Sequence, residues 1–312
     1  MRLSRPSRTV VLAALLAGAS LPLIRRRVGL HPALVIGGAA AAPVALCVAF
    51  PRSRGRDVAV CVMQMWAYVA AYKMPNDDPA VLGRRVHLDY PIRLDRALGL
   101  GELPTVRLQR RLADHEGFTV HEKILVWAHW VWFFVPHGTA LYVLLRRPGQ
   151  FTAAATRIYA TFDCGVLFYW LLPTAPPWYA AERGRIGEIH DTEHPPTRRI
   201  MVEYGESFWH EGWGPLYSVL GGNPVAAMPS LHFATSVMAA RVLAETGPVA
   251  GAFGALYAAT LGFALVYLGE HYAADLIAGY ALTEAVRAGQ PIAGPPLASV
   301  ARAIEALGGS LR

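Results

Sequence analysis

The chain has 312 residues, 54% hydrophobic and 16% charged, with a formal net charge of +7 and a mean hydropathy of +0.31. A soluble domain carries about 25% charged residues, so these values exclude a disordered chain and speak against a soluble globule. The basic surplus is scattered between apolar blocks, with no aromatic-interleaved stripe. That speaks against nucleic acid as a partner and for loops facing lipid headgroups.

A helix needs about 20 apolar residues to cross a hydrocarbon core of about 30 Å. The first apolar run is 9–24, between Arg8 and the cluster Arg25-Arg26-Arg27. Its basic start and Ala17-Gly18-Ala19 also suit a signal peptide; the arginine cluster behind it favours an uncleaved helix. Runs over 30–50 and 58–72 follow. Residues 73–123 are polar and broken by Pro79, Pro91 and Pro104. Arg and Leu alternate there at helical spacing over 92–112, which predicts short amphipathic helices on the membrane surface. Runs at 124–145 and 153–172 come next, joined by an Arg-Arg-Pro-Gly turn. Residues 173–228 are too polar to span. Apolar runs at 231–244, 249–268 and 273–288 complete a set of seven or eight candidate spans. A Pro- and Gly-containing tail with a short Ala-rich helix starts at Gly289.

The pattern predicts an all-α polytopic membrane helical bundle. Residues 1–56 form an N-terminal transmembrane extension of one or two spans. Residues 57–290 hold a six-helix catalytic core, and 291–312 a tail. Cys47, Cys61 and Cys164 lie in apolar runs without metal or redox spacing, and read as small core residues.

Two stretches stand out: Met228-Pro229-Ser230-Leu231-His232 and Glu270-His271-Tyr272-Ala273-Ala274-Asp275. Ionisable groups at membrane-helix ends are costly and default to function. His271 and Asp275 are four residues apart, on one helix face. A carboxylate there accepts the imidazole Nδ1–H and leaves Nε2 free as nucleophile or base. Ser230 stands where a helix begins, as an N-cap and beside backbone N–H groups suited to phosphate. His232 falls in the first turn, placed to protonate a leaving oxygen. The run 231–244 leaves this face and 249–268 returns to it, so both histidines meet at one interface.

These residues resemble the type 2 phosphatidic acid phosphatase superfamily. The block from His271 to Tyr280 is similar to the HYxxD block of sphingomyelin and inositol phosphorylceramide synthases. Residues 169–178 (YWLLPTAPPW) and 129–138 (HWVWFFVPHG) resemble the inositolphosphotransferase-like branch. The resemblance covers 60–285 and is sharpest over 223–280. It implies that His271 attacks phosphorus to form a phosphohistidine, that Asp275 orients it, that His232 protonates the leaving alcohol, and that Ser230 and nearby donors hold the phosphate oxygens. No metal and no other cofactor is implied.

The chain departs from the phosphatase pattern. It has no KxxxxxxRP motif, and Ala264 and Leu265 stand where a Ser-Arg pair is expected. Another cation must serve; Lys123, Arg93, Arg96, Arg183 and Arg185 are the candidates, each also readable as a surface charge. The sphingolipid-synthase-like branch also lacks the Ser-Arg pair, which weights the reading toward transfer. Glu270 is a candidate for a substrate hydroxyl, and Asp163, inside an apolar run, for the substrate groove or for pairing with Arg157. Asn223 reads as a turn residue and Trp178 and Tyr179 as an interfacial belt. His190 and His194, beside Pro195 and Pro196, do not read as a metal site.

The expected activity is metal-independent transfer or hydrolysis of a phosphoryl group on a lipid in the cell membrane. The lipid is phosphatidate-like, polyprenyl-phosphate-like or inositol-containing, and the site extracytoplasmic because the short basic loops 52–56 and 146–147 lie opposite it. A proton-coupled transporter and an inactive structural membrane subunit are the rival readings.

Overall fold

The computed structural model describes residues 8–114, 117–186, 197–220 and 222–309. The described chain is all-α, as expected, and its only β pairing is two isolated bridges, His87 to Thr174 and Thr174 to Ala226. His190 and His194 lie outside the described residues.

Helix α1 is Arg8–Val28 and α2 is Pro32–Ala49. They pack closely because Gly18 has no side chain; a Cβ there would lie 2.5 Å from that of Ala42. Helix α3, Arg54–Lys73, starts at Ser53, whose hydroxyl accepts the Arg56 N–H. Three short helices follow as the prolines require: α4 (Pro79–Arg85), α5 (Asp89–Leu98) and α6 (Pro104–Leu112). Helix α5 buries Ile92 and Asp95 and exposes Arg93, Leu94 and Arg96.

The run 124–145, expected as one span, is two helices: α7 (Val120–Trp130) and α8 (Phe134–Arg146), bent by 58°. Pro136 has no N–H for the carbonyl of Trp132, and its ring crowds the preceding turn. The chain tightens into short-range bonds there, Trp132 N–H to His129 O at 3.1 Å and Phe134 N–H to Val131 O at 3.0 Å.

Helix α9 is Phe151–Leu171, and the polar connection holds α10 (Pro177–Glu182), α11 (Ile200–Trp209) and α12 (Trp213–Leu220). Helices α13 (Leu231–Thr246), α14 (Pro248–Tyr267) and α15 (Ala273–Gly309) close the chain. The tail from Gly289, expected to break at its Pro and Gly residues before a short Ala-rich helix, is the second half of α15, which continues through Pro291, Pro295 and Pro296. Its end docks on α2, where Gly308 lies against the Val48 backbone, and Arg56 pairs with Glu305 at 3.4 Å. Packing there overrides the breakers. Cys164 also corrects the sequence reading: it is exposed, not in the core.

Among the described residues three helices are long and apolar enough to cross a membrane, α1, α2 and α14, and the bent α7–α8 pair makes a fourth if counted as one span. Helix α13 is the hub. Small residues let its neighbours approach, as they do in membrane bundles. Gly251 and Gly254 of α14 face Ala244 and Ala240, Gly165 of α9 faces Leu231, and Gly279 of α15 faces the Ser230 carbonyl. At its far end Glu245 takes two bonds of 2.5 Å from Arg157 of α9.

The connections hold the near end. Thr174 donates its N–H to Val225 O at 2.9 Å and accepts that of Ala227 at 3.1 Å, while Ala175 bonds to His87. Tyr169 donates to Pro229 O at 2.9 Å. Asp95 of α5 is fully buried and accepts the Ala274 N–H at 2.9 Å.

Two outcomes follow from this packing. A Cβ on Gly279 would lie 2.6 Å from the Ser230 carbonyl oxygen. Gly279→Ala gains about 1 kcal/mol of helix propensity but overpacks against backbone at a cost of about 1–3 kcal/mol. We expect a lower melting temperature in detergent, with Gly289→Ala, where the added Cβ meets nothing within 4 Å, as the control that does not fall. The second concerns Asp95. Burial raises its carboxyl from 3.8 to about 6, against the pull of the Ala274 and Ala273 N–H groups. The folded chain thus keeps a proton that the unfolded chain releases, and this stability is lost as pH rises from about 4 to about 6. Asp95→Asn cannot titrate, so its stability relative to wild type should rise between pH 4 and pH 8, by up to about 3 kcal/mol. Melting curves across that range check it; a pH-independent difference contradicts it.

Candidate functional site

The site is built where α13 begins and where the α14–α15 turn ends. Ser230 caps α13: its Oγ accepts the Phe233 N–H at 3.3 Å, and its side chain is fully buried. His232 therefore falls in the first turn, at the positive end of the helix. Across from it the chain leaves α14 at Tyr267 and turns through Gly269, which has φ +75°. The His271 N–H returns to Leu265 O at 3.0 Å. His271 is thus in the turn, two residues before α15, and not on the helix as its spacing from Asp275 suggested. The pair still meets. Asp275 lies in the first turn of α15 and reaches back, accepting the Tyr272 N–H at 2.9 Å and lying 3.2 Å from His271 Nδ1.

His271 Nε2 lies 3.1 Å from His232 Nδ1. The three side chains form one chain: Asp275, His271, His232. Asp275 accepts only as a carboxylate, so it holds the proton of His271 on Nδ1 and turns the Nε2 lone pair toward His232. His271 is 3% exposed and Asp275 fully buried.

His232 is held between two rings. His129 of α7 stacks on it with centroids 4.9 Å apart, and Trp132 packs on it at 4.1 Å. Trp132 is itself fixed by Thr235, to which its indole N–H donates at 3.0 Å. His129 Nδ1 is buried with no partner among the described residues. Beside His271, Glu270 points into a second group. Its Oε1 is buried without a partner, and the Arg199 guanidinium and the Trp178 indole favour the charged form of its carboxyl. Burial pushes the Glu270 carboxyl up from its usual range, partly offset by Arg199. Arg199 stacks on the Trp178 ring at 3.8 Å and bonds to Glu182 and the Tyr217 hydroxyl.

The structure therefore brings His232, His271, Asp275 and Ser230 together, with Glu270 adjoining. It does not bring the other candidates to them. Asp163 accepts from Gln64 of α3 at 2.7 Å, and Arg157 is committed to Glu245. Lys123 is exposed on α7. Arg183 is exposed and lies over Tyr179, and Arg185 pairs with Asp89. Arg93 and Arg96 are on the exposed side of α5. Asn223 makes the turn expected of it, its Oδ1 accepting the Val225 N–H at 3.1 Å.

Sequence reasoning missed His129 and Arg199. His129 stood inside a stretch valued only for its resemblance. Arg199 sat in the polar 173–228 connection with no motif around it. Among the described residues, no group of three or more His, Cys, Asp or Glu side chains is arranged to hold a metal ion.

A family model described as the PAP2 superfamily matches residues 92–288. No curated protein and no solved structure matches the chain. The matched segment runs from α5 into α15 and contains every residue of the Asp275–His271–His232 chain, and the chain belongs to the PAP2 superfamily.

Proposed function

We propose that this phosphatase-type protein is a multi-pass lipid phosphatase or phosphotransferase that works through a phosphohistidine on His271. The observation that carries the reading is the buried Asp275–His271–His232 chain, with bonds of 3.2 and 3.1 Å. A nucleophile, its orienting carboxylate and a proton donor are within hydrogen-bond reach at one helix end.

The steps follow from that geometry. A phosphate ester enters between the two histidines and displaces their mutual hydrogen bond. His271 Nε2 attacks phosphorus, the P–O bond to the lipid alcohol breaks, and the leaving oxygen takes a proton from His232, which binds that proton as imidazolium when the anionic phosphate enters beside it. Asp275 stabilises the positive imidazole ring. Water or a second alcohol then attacks the phosphohistidine, gives its proton to His232, and returns His271 with its lone pair. The N–H groups at the start of α13 and the Ser230 hydroxyl stabilise the phosphoryl oxygens. Arg199, held on Trp178 beside Glu270, supplies the cation that no other basic candidate brings near. Its planar fork suits a phosphate oxygen pair.

Orientation is read from the opposite end. Arg52 bonds to Thr152, Arg157 to Glu245 and Gln290 to Ala153 O, so the starts of α3 and α9 share a face with the end of α13. That basic face, with Arg146 and Arg147, is cytoplasmic by the positive-inside rule, and the histidines are extracytoplasmic. The exposed apolar residues of α14, Val249, Phe253, Leu256 and Phe263, support lipid contact. The substrate we favour is a lipid phosphate, phosphatidate-like, polyprenyl-phosphate-like or inositol-containing.

The test is phosphate release from phosphatidate and polyprenyl phosphate micelles with EDTA present. Wild type should release phosphate, and His271→Ala should lose about 10³-fold or more. Asp275→Asn should lose about 10²-fold or more, and Arg199→Ala about 10²-fold. Equal release by wild type and His271→Ala contradicts the nucleophile. If wild type transfers label from a lipid donor to an alcohol faster than to water, the transferase form is the right one.

A further inference from the structure

We propose that the α5–α6 hairpin is a clamp that positions the catalytic turn, with Asp95 and Gln109 as its two positioning residues. The inference rests on the reading of His271 as the reacting group, and it deepens that reading.

The turn 268–272 joins two helix ends that the local sequence leaves incomplete. The last carbonyls of α14 and the first N–H groups of α15 have no partners inside their helices. The residue at the cap of α15 is Tyr272, which has no short acceptor side chain. Asp275 does not fill the gap: its Oδ2 accepts the Tyr272 N–H and lies beside His271, and its Oδ1 has no partner among the described residues.

The missing acceptor comes from 179 residues away. Asp95 Oδ1 accepts the Ala274 N–H at 2.9 Å. It caps in trans the helix that carries Asp275. On the other side of the turn, Gln109 of α6 donates to Tyr267 O at 2.7 Å, the last residue of α14. The same amide donates to Arg198 O at 3.2 Å and accepts the Arg198 N–H at 2.7 Å. One side chain thus fixes the end of α14 together with the backbone next to Arg199. Both clamp residues are buried, Asp95 fully and Gln109 to 4% exposure. Thr105 sits between them, with its methyl 3.6 Å from where a Cβ on Gly269 would lie.

The hairpin has the rigidity that a clamp needs. Its corner passes through Leu100 and Gly101, both with positive φ. A Cβ on Gly99 would meet Glu102 O at 1.9 Å, so the corner closes on bare backbone. Glu102 is bonded by Arg107 and Arg110, and Arg107 also donates to Gly99 O. On its outer side α5 exposes Arg93, Leu94 and Arg96. The two carboxylates have separate tasks: Asp275 orients the His271 ring, and Asp95 sets the backbone from which both project. A displacement of about 1 Å at a reacting group costs about 10²-fold in rate.

The experiment uses the full chain in detergent with Asp95→Ala, Asp95→Asn and Gln109→Ala. Amide hydrogen exchange is read over residues 265–278, and turnover of a fluorescent phosphatidate gives kcat and KM. We expect Asp95→Ala to speed exchange at the start of α15 and lower kcat by about 10²-fold, with KM within about twofold. Asp95→Asn keeps an acceptor oxygen and should restore slow exchange and most of kcat. Gln109→Ala should speed exchange at the end of α14. Exchange at the start of α13 should stay unchanged in all three. Unchanged exchange in Asp95→Ala, an Asn variant as poor as the Ala variant, or faster exchange throughout α13 each overturns the clamp. If wild type does not turn over phosphatidate, the proposed substrate fails for that lipid while the exchange measurements still decide the clamp.

Discussion

The bond between His232 and His271 requires two helix ends to meet closely, and that approach is the constraint the rest of the fold serves. His232 starts α13 and His271 precedes α15. The helices touch where Gly279 lies on the Ser230 carbonyl, a contact no larger residue permits. The long connections then act as fasteners. The bridge at Thr174 holds the 225–227 segment that leads to Ser230, Tyr169 holds the Pro229 carbonyl, and the α5–α6 hairpin holds the turn after α14. Polar segments that cannot span a membrane thus position His232 and His271, and the apolar helices give them a rigid frame.

Charge is the second constraint. Asp275, Asp95 and Glu270 are all buried or partly buried near His271, and the Arg199 guanidinium from the connecting segments acts on Glu270. A phosphate brought to this place adds negative charge to a site already rich in carboxylates. Burying unpaired charge costs several kcal/mol per ion. The arrangement answers in three ways. Burial pushes the Asp275 carboxyl up as well, and His271 and the Tyr272 N–H offset that rise. Asp95 and Glu270 are pushed toward their neutral forms by burial. The helix end at Ser230 offers partial positive charge without a side-chain cation.

The frame was legible from hydropathy because apolar runs report helices directly. The runs at 231–244 and 249–268 match α13 and α14 closely. Legibility failed where tertiary contacts decide. Pro136 broke α7 from α8 inside an unbroken apolar run. The prolines of α15 failed to end it because its last turns dock on α2. The pairing of His232, His271 and Asp275 could be anticipated from spacing and from the return of the chain to one face. Arg199, His129, Asp95 and Gln109 could not, since each acts on partners far along the chain and no local periodicity marks them. Lys123 and Arg183 were plausible by charge alone, and the fold leaves both on the surface.

The central claim is a covalent phosphoryl group on His271, and trapping it is the most direct test. Wild-type protein is mixed with phosphatidate, quenched in base, where phosphohistidine survives, and digested for mass spectrometry. A phosphorylated peptide containing His271 is expected in wild type, and none in His271→Ala. Turnover of the lipid with no modified His271, or with the phosphoryl group on another residue, would contradict it.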